Sequence, residues 1–173
     1  ISTCDWSSDV CSSDLPKEAI ALNVNMDMVS NSTRGELYAA GAAKYPQLRA
    51  PLERVAGRAP VRLLLGHDTP DPSPRDDWTG QSDQGAFHQA GIPFVYFGVE
   101  DHPDYHKPTD DAGKVPEAFF RRSLTTLTTA LLQDLGPAGA QLPVDGLRVG
   151  VDVVPVERAT PAVVAGEFLG RGR

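Results

Sequence analysis

Residues 82–111 gather side chains that could bind a metal around one apolar strand. The segment reads SDQGAFHQAGIPFVYFGVEDHPDYHKPTDD and holds three of the four histidines of the chain. Carboxylates and imidazoles are zinc donors, and α/β enzymes place site residues at the carboxyl edge of the sheet. Surface loops also collect Asp, Pro and His, so composition alone leaves a metal site undecided. The order of the residues is more informative.

The elements that must position these side chains alternate between strands and helices. Strands are predicted at 19–29, 36–42, 61–65 and 93–99, and helices at 46–55, 82–90 and 115–135. Ser82 is predicted to cap its helix, and Gly91 to end it. This alternation is the pattern of an α/β fold.

Composition excludes several classes of protein. A chain of 173 residues fits one domain at most, and 40% hydrophobic residues suffice for a core. The net charge of −7 argues against a nucleic-acid partner. No apolar run approaches the roughly 20 residues of a transmembrane helix, so we expect no transmembrane segment in this chain.

Two ordered motifs resemble the co-catalytic di-zinc exopeptidases, metallopeptidase clan MH, family 28. One motif is Ser-Asp, a short helix, Gly-Ile-Pro, a strand and then Asp-Tyr-His-x-Pro-Thr-Asp; the other is ALNVNMDMVS at 21–30. The family includes bacterial leucyl aminopeptidase, glutamate carboxypeptidase II and glutaminyl cyclase. Over residues 19–135 the resemblance implies a three-layer α/β sandwich on a mostly parallel, mixed sheet.

The resemblance also implies site residues. Asp27 and His106 match zinc ligands, one for each of two zinc ions. Tyr105 matches a residue whose hydroxyl stabilises the oxyanion in several relatives. Packing of the Tyr105 ring over the loop is an equally good interpretation of this aromatic residue.

Other polar residues have weaker matches. Asp83 is interpreted as a residue that orients a ligand or substrate, or as an acid favoured by the helix dipole. Asp110 or Asp111 could hydrogen-bond His106 and fix its tautomer, although a cap for the following helix is the preferred interpretation of these two residues. Relatives often have His where this chain has Gln84. The remaining histidines, at 67, 88 and 102, match no ligand position.

The ends of the chain are predicted to be foreign to this domain. Residues 5–15, DWSSDVCSSDL, resemble a translated sequencing adapter, so 1–15 are interpreted as an artefactual, disordered leader. Both cysteines lie there and say nothing about redox compartment. Residues 16–135 are predicted to be the C-terminal part of a zinc exopeptidase domain. Residues 136–173 are an unassigned tail, for which disorder and a frame-shifted reading are the open interpretations.

The predicted function is that of a zinc-dependent exopeptidase of aminopeptidase type, acting on a peptide or an N-terminal amino acid. The family's first His, bridging Asp and Glu-Glu pair have no counterpart in residues 16–26, so this chain alone is predicted to lack a general base and to be inactive. Alternatives are glutaminyl cyclisation, N-deacylation or a non-catalytic binding homologue. The resemblance implies a secreted or periplasmic location.

Overall fold

The structure is a computed structural model that describes residues 20–69 and 76–135. Its four strands form one mixed sheet in the order β1-β4-β2-β3. The strands are β1 (Asn23–Met26), β2 (Glu36–Ala40), β3 (Arg62–Leu65) and β4 (Phe94–Gly98). The helices are α1 (Arg49–Ala56), α2 (Gln84–Gln89) and α3 (Glu117–Thr129), and a π-helical turn, Ala130–Asp134, follows α3. Short 3-10 turns lie at Pro46–Leu48, Trp78–Gly80 and Ala112–Lys114. The expected α/β fold with a mixed sheet is confirmed.

The pairing of the strands determines which ends meet. β1 runs parallel to β4, with Asn25 opposite Tyr96. β2 is parallel to β3 and antiparallel to β4. Because β1 and β4 are parallel neighbours, the residues that follow Met26 and Gly98 lie at the same edge of the sheet.

Both faces of the sheet are covered, which gives three layers. The larger core packs α1 and α3 on one face, through residues such as Leu52 and Phe119 against Leu37 and Phe97. The opposite face carries a smaller cluster centred on Phe94 and Tyr96, and α2 contacts β1 and β4. Alternate side chains of each strand therefore serve two separate apolar layers.

Several element ends differ from the prediction. Of the strand predicted at 19–29, only Asn23–Met26 forms a strand. The helix predicted at 115–135 begins at Glu117, and the π-helical turn follows it after Thr129. Gly91 has a φ of 78° and follows the C-cap residue of α2, as expected for a terminating glycine. Ser82 was expected to be the cap of α2, but Asp83 occupies that position.

Within residues 20–69 and 76–135, no helix is long and apolar enough to cross a membrane. The predicted leader at 1–15 and the predicted tail at 136–173 lie outside the described residues.

Candidate metal centre

Asp27 directly follows β1, where a turn ties that strand to the end of β4. Its amide donates to Phe97 O at 3.1 Å, and Val99 N donates to Met28 O at 3.1 Å. Met28 adopts a left-handed φ of 56°, which turns the chain away from the sheet. The Asp27 carboxylate is consequently exposed at the carboxyl edge shared by β1 and β4.

A chain of polar side chains holds that carboxylate. The Ser82 hydroxyl donates to Asp27 Oδ2 at 3.0 Å. Asn25 Nδ2 donates to Ser82 Oγ at 3.1 Å and to Gln84 Oε1 at 2.7 Å. Gln84 is completely buried, and its Nε2 donates to Trp78 O at 2.6 Å. Ser82 is thus engaged with Asp27, 55 residues away in the chain, instead of capping α2.

His106 lies in a run of turns after β4 and has a left-handed φ of 55°. The turns are closed by Tyr105 N donating to His102 O and Lys107 N donating to Asp104 O, both at 2.9 Å. The side chain of His106 is exposed, and its ring stacks on Tyr105 with centroids 3.8 Å apart. Within the described part of the chain, its ring nitrogens make no hydrogen bond, so they are open to a metal.

Two tyrosines connect the halves of the site electrostatically. Burial raises the pKa of Tyr105, and the charges of Asp101 and Asp27 raise it further. Burial also raises the pKa of Tyr96, with contributions from Asp27, Tyr105 and Asp101. The Tyr96 hydroxyl donates to Asp27 O at 3.3 Å. Asp27 follows β1 and His106 lies in the turns after β4, so both residues come from segments that leave the sheet at the carboxyl edge of these parallel neighbours.

The structure places the two remaining predicted site residues differently. Asp83 lies at the N-cap position of α2, and its side chain makes no capping hydrogen bond. Asp110 Oδ2 lies 3.6 Å from His102 Nε2. The structure thus pairs Asp110 with His102, and a bond to His106 is not seen among the described residues. The cap that was the preferred interpretation for Asp110 or Asp111 is found at Asp111, which accepts from Gly113 N at 2.9 Å.

The available donors fit part of a zinc site. Carboxylate oxygen and neutral imidazole nitrogen are standard zinc donors, and both side chains are accessible. Zinc in proteins takes at least three protein ligands. Residues 20–69 and 76–135 contain no group of three or more His, Cys, Asp or Glu side chains arranged to hold a metal. Asp27 and His106 therefore fit zinc as contributors to a larger ligand set.

Comparison with family models identifies the chain. The model described as Peptidase family M28 matches residues 5–131. The chain belongs to peptidase family M28. The match begins inside the segment interpreted as a leader, so the origin of residues 5–15 stays a prediction.

Solved structures of zinc aminopeptidases share the M28 fold of this chain. BSAP, a zinc aminopeptidase from Bacillus subtilis, aligns with 72% of this chain at 25% identity and a TM-score of 0.54. A second structure of BSAP gives 24% identity and a TM-score of 0.53 over the same share. The chain spans 31% of the length of these M28 relatives. A search of curated proteins gave no match.

Sequence reasoning missed several residues of this candidate site. Asn25 and Asp27 are two positions apart at the end of a strand, and such positions share a face. This spacing could have indicated that the Asn25 side chain lies beside the Asp27 carboxylate. No local pattern indicates that Ser82 reaches Asp27 or that Gln84 contacts Asn25, because those bonds join segments 55 to 59 residues apart.

Proposed function

We propose that this chain is part of a zinc-dependent exopeptidase of aminopeptidase type. One observation carries the proposal: Asp27 and His106, which match the family's ligand positions, follow the parallel neighbours β1 and β4, and both side chains are exposed. Membership of peptidase family M28 supports peptide hydrolysis, and the likeness to a zinc aminopeptidase supports the metal and the exopeptidase activity.

Each retained ligand would hold one of two zinc ions. Asp27 would offer Oδ1, because Oδ2 accepts from Ser82, and His106 would offer a ring nitrogen. When bound, zinc polarises a scissile carbonyl and lowers the pKa of a coordinated water. The stacked Tyr105 ring would hold the imidazole of His106 in one orientation.

Tyr105 would donate a hydrogen bond to the oxyanion that develops on the scissile carbonyl. Its pKa is raised by burial and by the charges of Asp101 and Asp27, so its hydroxyl keeps its proton at neutral pH. A protonated hydroxyl beside the ligand His106 has the chemistry of such a donor. Asp83 and Asp110 would act behind the ligands, by shaping the start of α2 and the turn around His102.

The general base and the remaining ligands are proposed to come from outside this chain, which spans 31% of the length of the Bacillus enzyme. The 173-residue chain alone would then be inactive. It would also bind zinc no tighter than about micromolar, since two donors forfeit most of the chelate geometry. Isothermal titration measures this affinity.

The deciding experiment measures release of an amino-acid anilide by the complete parent protein, with and without a chelator. We expect zinc-dependent turnover that His106→Ala abolishes. The matched control is His88→Gln, which also removes an imidazole. His88 lies on α2, where its ring contacts the Tyr45 hydroxyl at 2.7 Å, so this variant should keep its turnover. Cyclisation of an N-terminal glutamine without anilide release would favour the glutaminyl cyclase alternative. Absence of both zinc and turnover would favour a binding homologue.

A further inference from the structure

Two acceptors that cannot donate lie at the ends of the polar chain beside Asp27. At one end Trp78 O accepts from Gln84 Nε2 at 2.6 Å. At the other end Asp27 Oδ2 accepts from Ser82 Oγ at 3.0 Å. A carbonyl and a carboxylate both require a donor, so the direction of the hydrogen bonds is fixed at both ends.

Asn25 satisfies the two groups in between. Gln84 Oε1 and Ser82 Oγ each need a donor, because Gln84 has turned its nitrogen to Trp78 and Ser82 has given its one hydrogen to Asp27. The Nδ2 group of Asn25 carries two hydrogens and reaches both, at 2.7 Å and 3.1 Å. A side-chain amide is the neutral group that supplies two hydrogens from one atom.

We propose that Asn25 and Gln84 are positioning residues that direct the Ser82 hydrogen onto Oδ2 of Asp27. The inference rests on the proposed function, because it concerns a proposed zinc ligand. Gln84 is completely buried, and rotation of its amide would set Oε1 against Trp78 O. That orientation obliges Asn25 to donate to Gln84, and the second Asn25 hydrogen occupies the oxygen of Ser82.

The consequence for Asp27 is a carboxylate whose two oxygens differ. Oδ2 is held by Ser82, and Oδ1 accepts no hydrogen bond from the described residues. Groups that orient a metal ligand by hydrogen bonding typically change metal affinity 10- to 100-fold when they are mutated. Asn25 and Gln84 act through Ser82, so their effect on zinc should depend on the presence of the Ser82 hydroxyl.

A double-mutant cycle on zinc affinity of the full chain tests this dependence. Ser82→Ala and Asn25→Leu, which keeps the branched shape of Asn, are each expected to weaken zinc binding about tenfold or more. The double variant should bind zinc no more weakly than whichever single variant has the lower zinc affinity. If the two losses multiply, or if Asn25→Leu leaves the affinity unchanged, the inference is overturned.

Gln84→Glu provides an isosteric variant should Asn25→Leu fail to fold. Its carboxyl can donate to Trp78 O only when protonated, and burial raises the pKa of such a group. Its zinc affinity relative to wild type should therefore fall as pH rises. Gln89→Glu adds the same charge at an exposed position of α2 and should show a constant ratio. A constant ratio for Gln84→Glu as well would contradict the proposal.

Side-chain amide exchange in the zinc-free chain separates this inference from the proposed function. We expect the Asn25 NH2 hydrogens to exchange much more slowly than those of exposed Gln89, and Ser82→Ala to accelerate one of the two. If the complete parent binds no zinc while this pattern holds, the proposed function fails and the directed network stands. If Asn25 exchanges as fast as Gln89, the network itself is refuted.

Discussion

The imidazole ring of His106 stacks on the ring of Tyr105, with centroids 3.8 Å apart and planes inclined by 21°. Tyr105 is half-buried, whereas His106 is exposed. The tyrosine therefore contributes a ring that supports the imidazole and a hydroxyl that can act separately. These two contributions can be tested apart.

Tyr105→Phe removes the hydroxyl and keeps the stacked ring. If the hydroxyl stabilises an oxyanion, kcat of the complete parent should fall about 10²- to 10³-fold, with KM little changed. Steady-state kinetics on an amino-acid anilide measure both constants. An unchanged kcat would leave packing over the loop as the role of Tyr105, and Tyr105→Leu would then be the variant that lowers thermal stability.

His106→Ala should cost little stability in chelator and much more in zinc. The exposed ring makes no hydrogen bond to the described residues, so its stabilisation comes from linkage to the metal. Thermal melting of the parent and the variant, each with zinc and with chelator, gives the comparison. Equal losses in both conditions would identify His106 as a structural histidine.

Gly98→Ala should lower the free energy of unfolding by about 1–3 kcal/mol. A Cβ atom at position 98 would lie 2.6 Å from the ring of Tyr96, which is 6% exposed and cannot move away easily. Gly80→Ala is the matched control, since nothing lies within 4 Å of its added Cβ. Urea unfolding should place the control within about 0.5 kcal/mol of wild type.

The Asp77 carboxyl makes the free energy of unfolding depend on pH. Burial raises the pKa of Asp77, but hydrogen bonds from Thr79 and from Lys44 outweigh burial and hold it below the usual value. A lowered folded-state pKa means that the stabilisation is present above the unfolded pKa of about 4 and is lost as pH falls through the folded value. Asp77→Asn should thus be less stable than wild type at pH 7, with a difference that shrinks below about pH 4. A difference that grows on acidification would show the opposite linkage.

Deletion of residues 1–15 should leave zinc affinity and melting temperature unchanged. The reason is their resemblance to a translated adapter, which predicts no packing partner in the domain. Circular dichroism melts of the full and shortened chains make the comparison. A lower melting temperature for the shortened chain would indicate that these residues belong to the family domain, whose match begins at residue 5.

The sequence predicted the type and order of the main elements because the signals are local. Phe94–Gly98 is an apolar run between a turn and a polar loop, and Gly91 carries the conformational freedom that ends α2. The structure makes the strands that lead to Asp27 and His106 parallel neighbours, so both strands end at the same edge of the sheet.

The contacts that hold the site were not predictable in the same way. Ser82 has the composition and position of a helix cap, and the competing acceptor on Asp27 is invisible until the chain is folded. Asp110 lies 3.6 Å from His102 for a similar reason, since turns in 103–109 reverse the chain between them. The antiparallel pairing of β2 with β4 also depends on contacts distant in sequence.

The left-handed conformations of Met28 and His106 have a consequence for laboratory evolution. Each residue has a positive φ that glycine adopts without strain, whereas for a residue with a Cβ atom this backbone conformation costs about 1–2 kcal/mol. Met28 packs against the larger core, so glycine at position 28 would lose apolar contacts. The exposed His106 would lose its stacking on Tyr105, and selection for heat resistance alone would favour glycine there, where it removes a proposed ligand. Selection for thermal stability without a screen for catalysis would thus enrich more stable variants that lack the His106 imidazole.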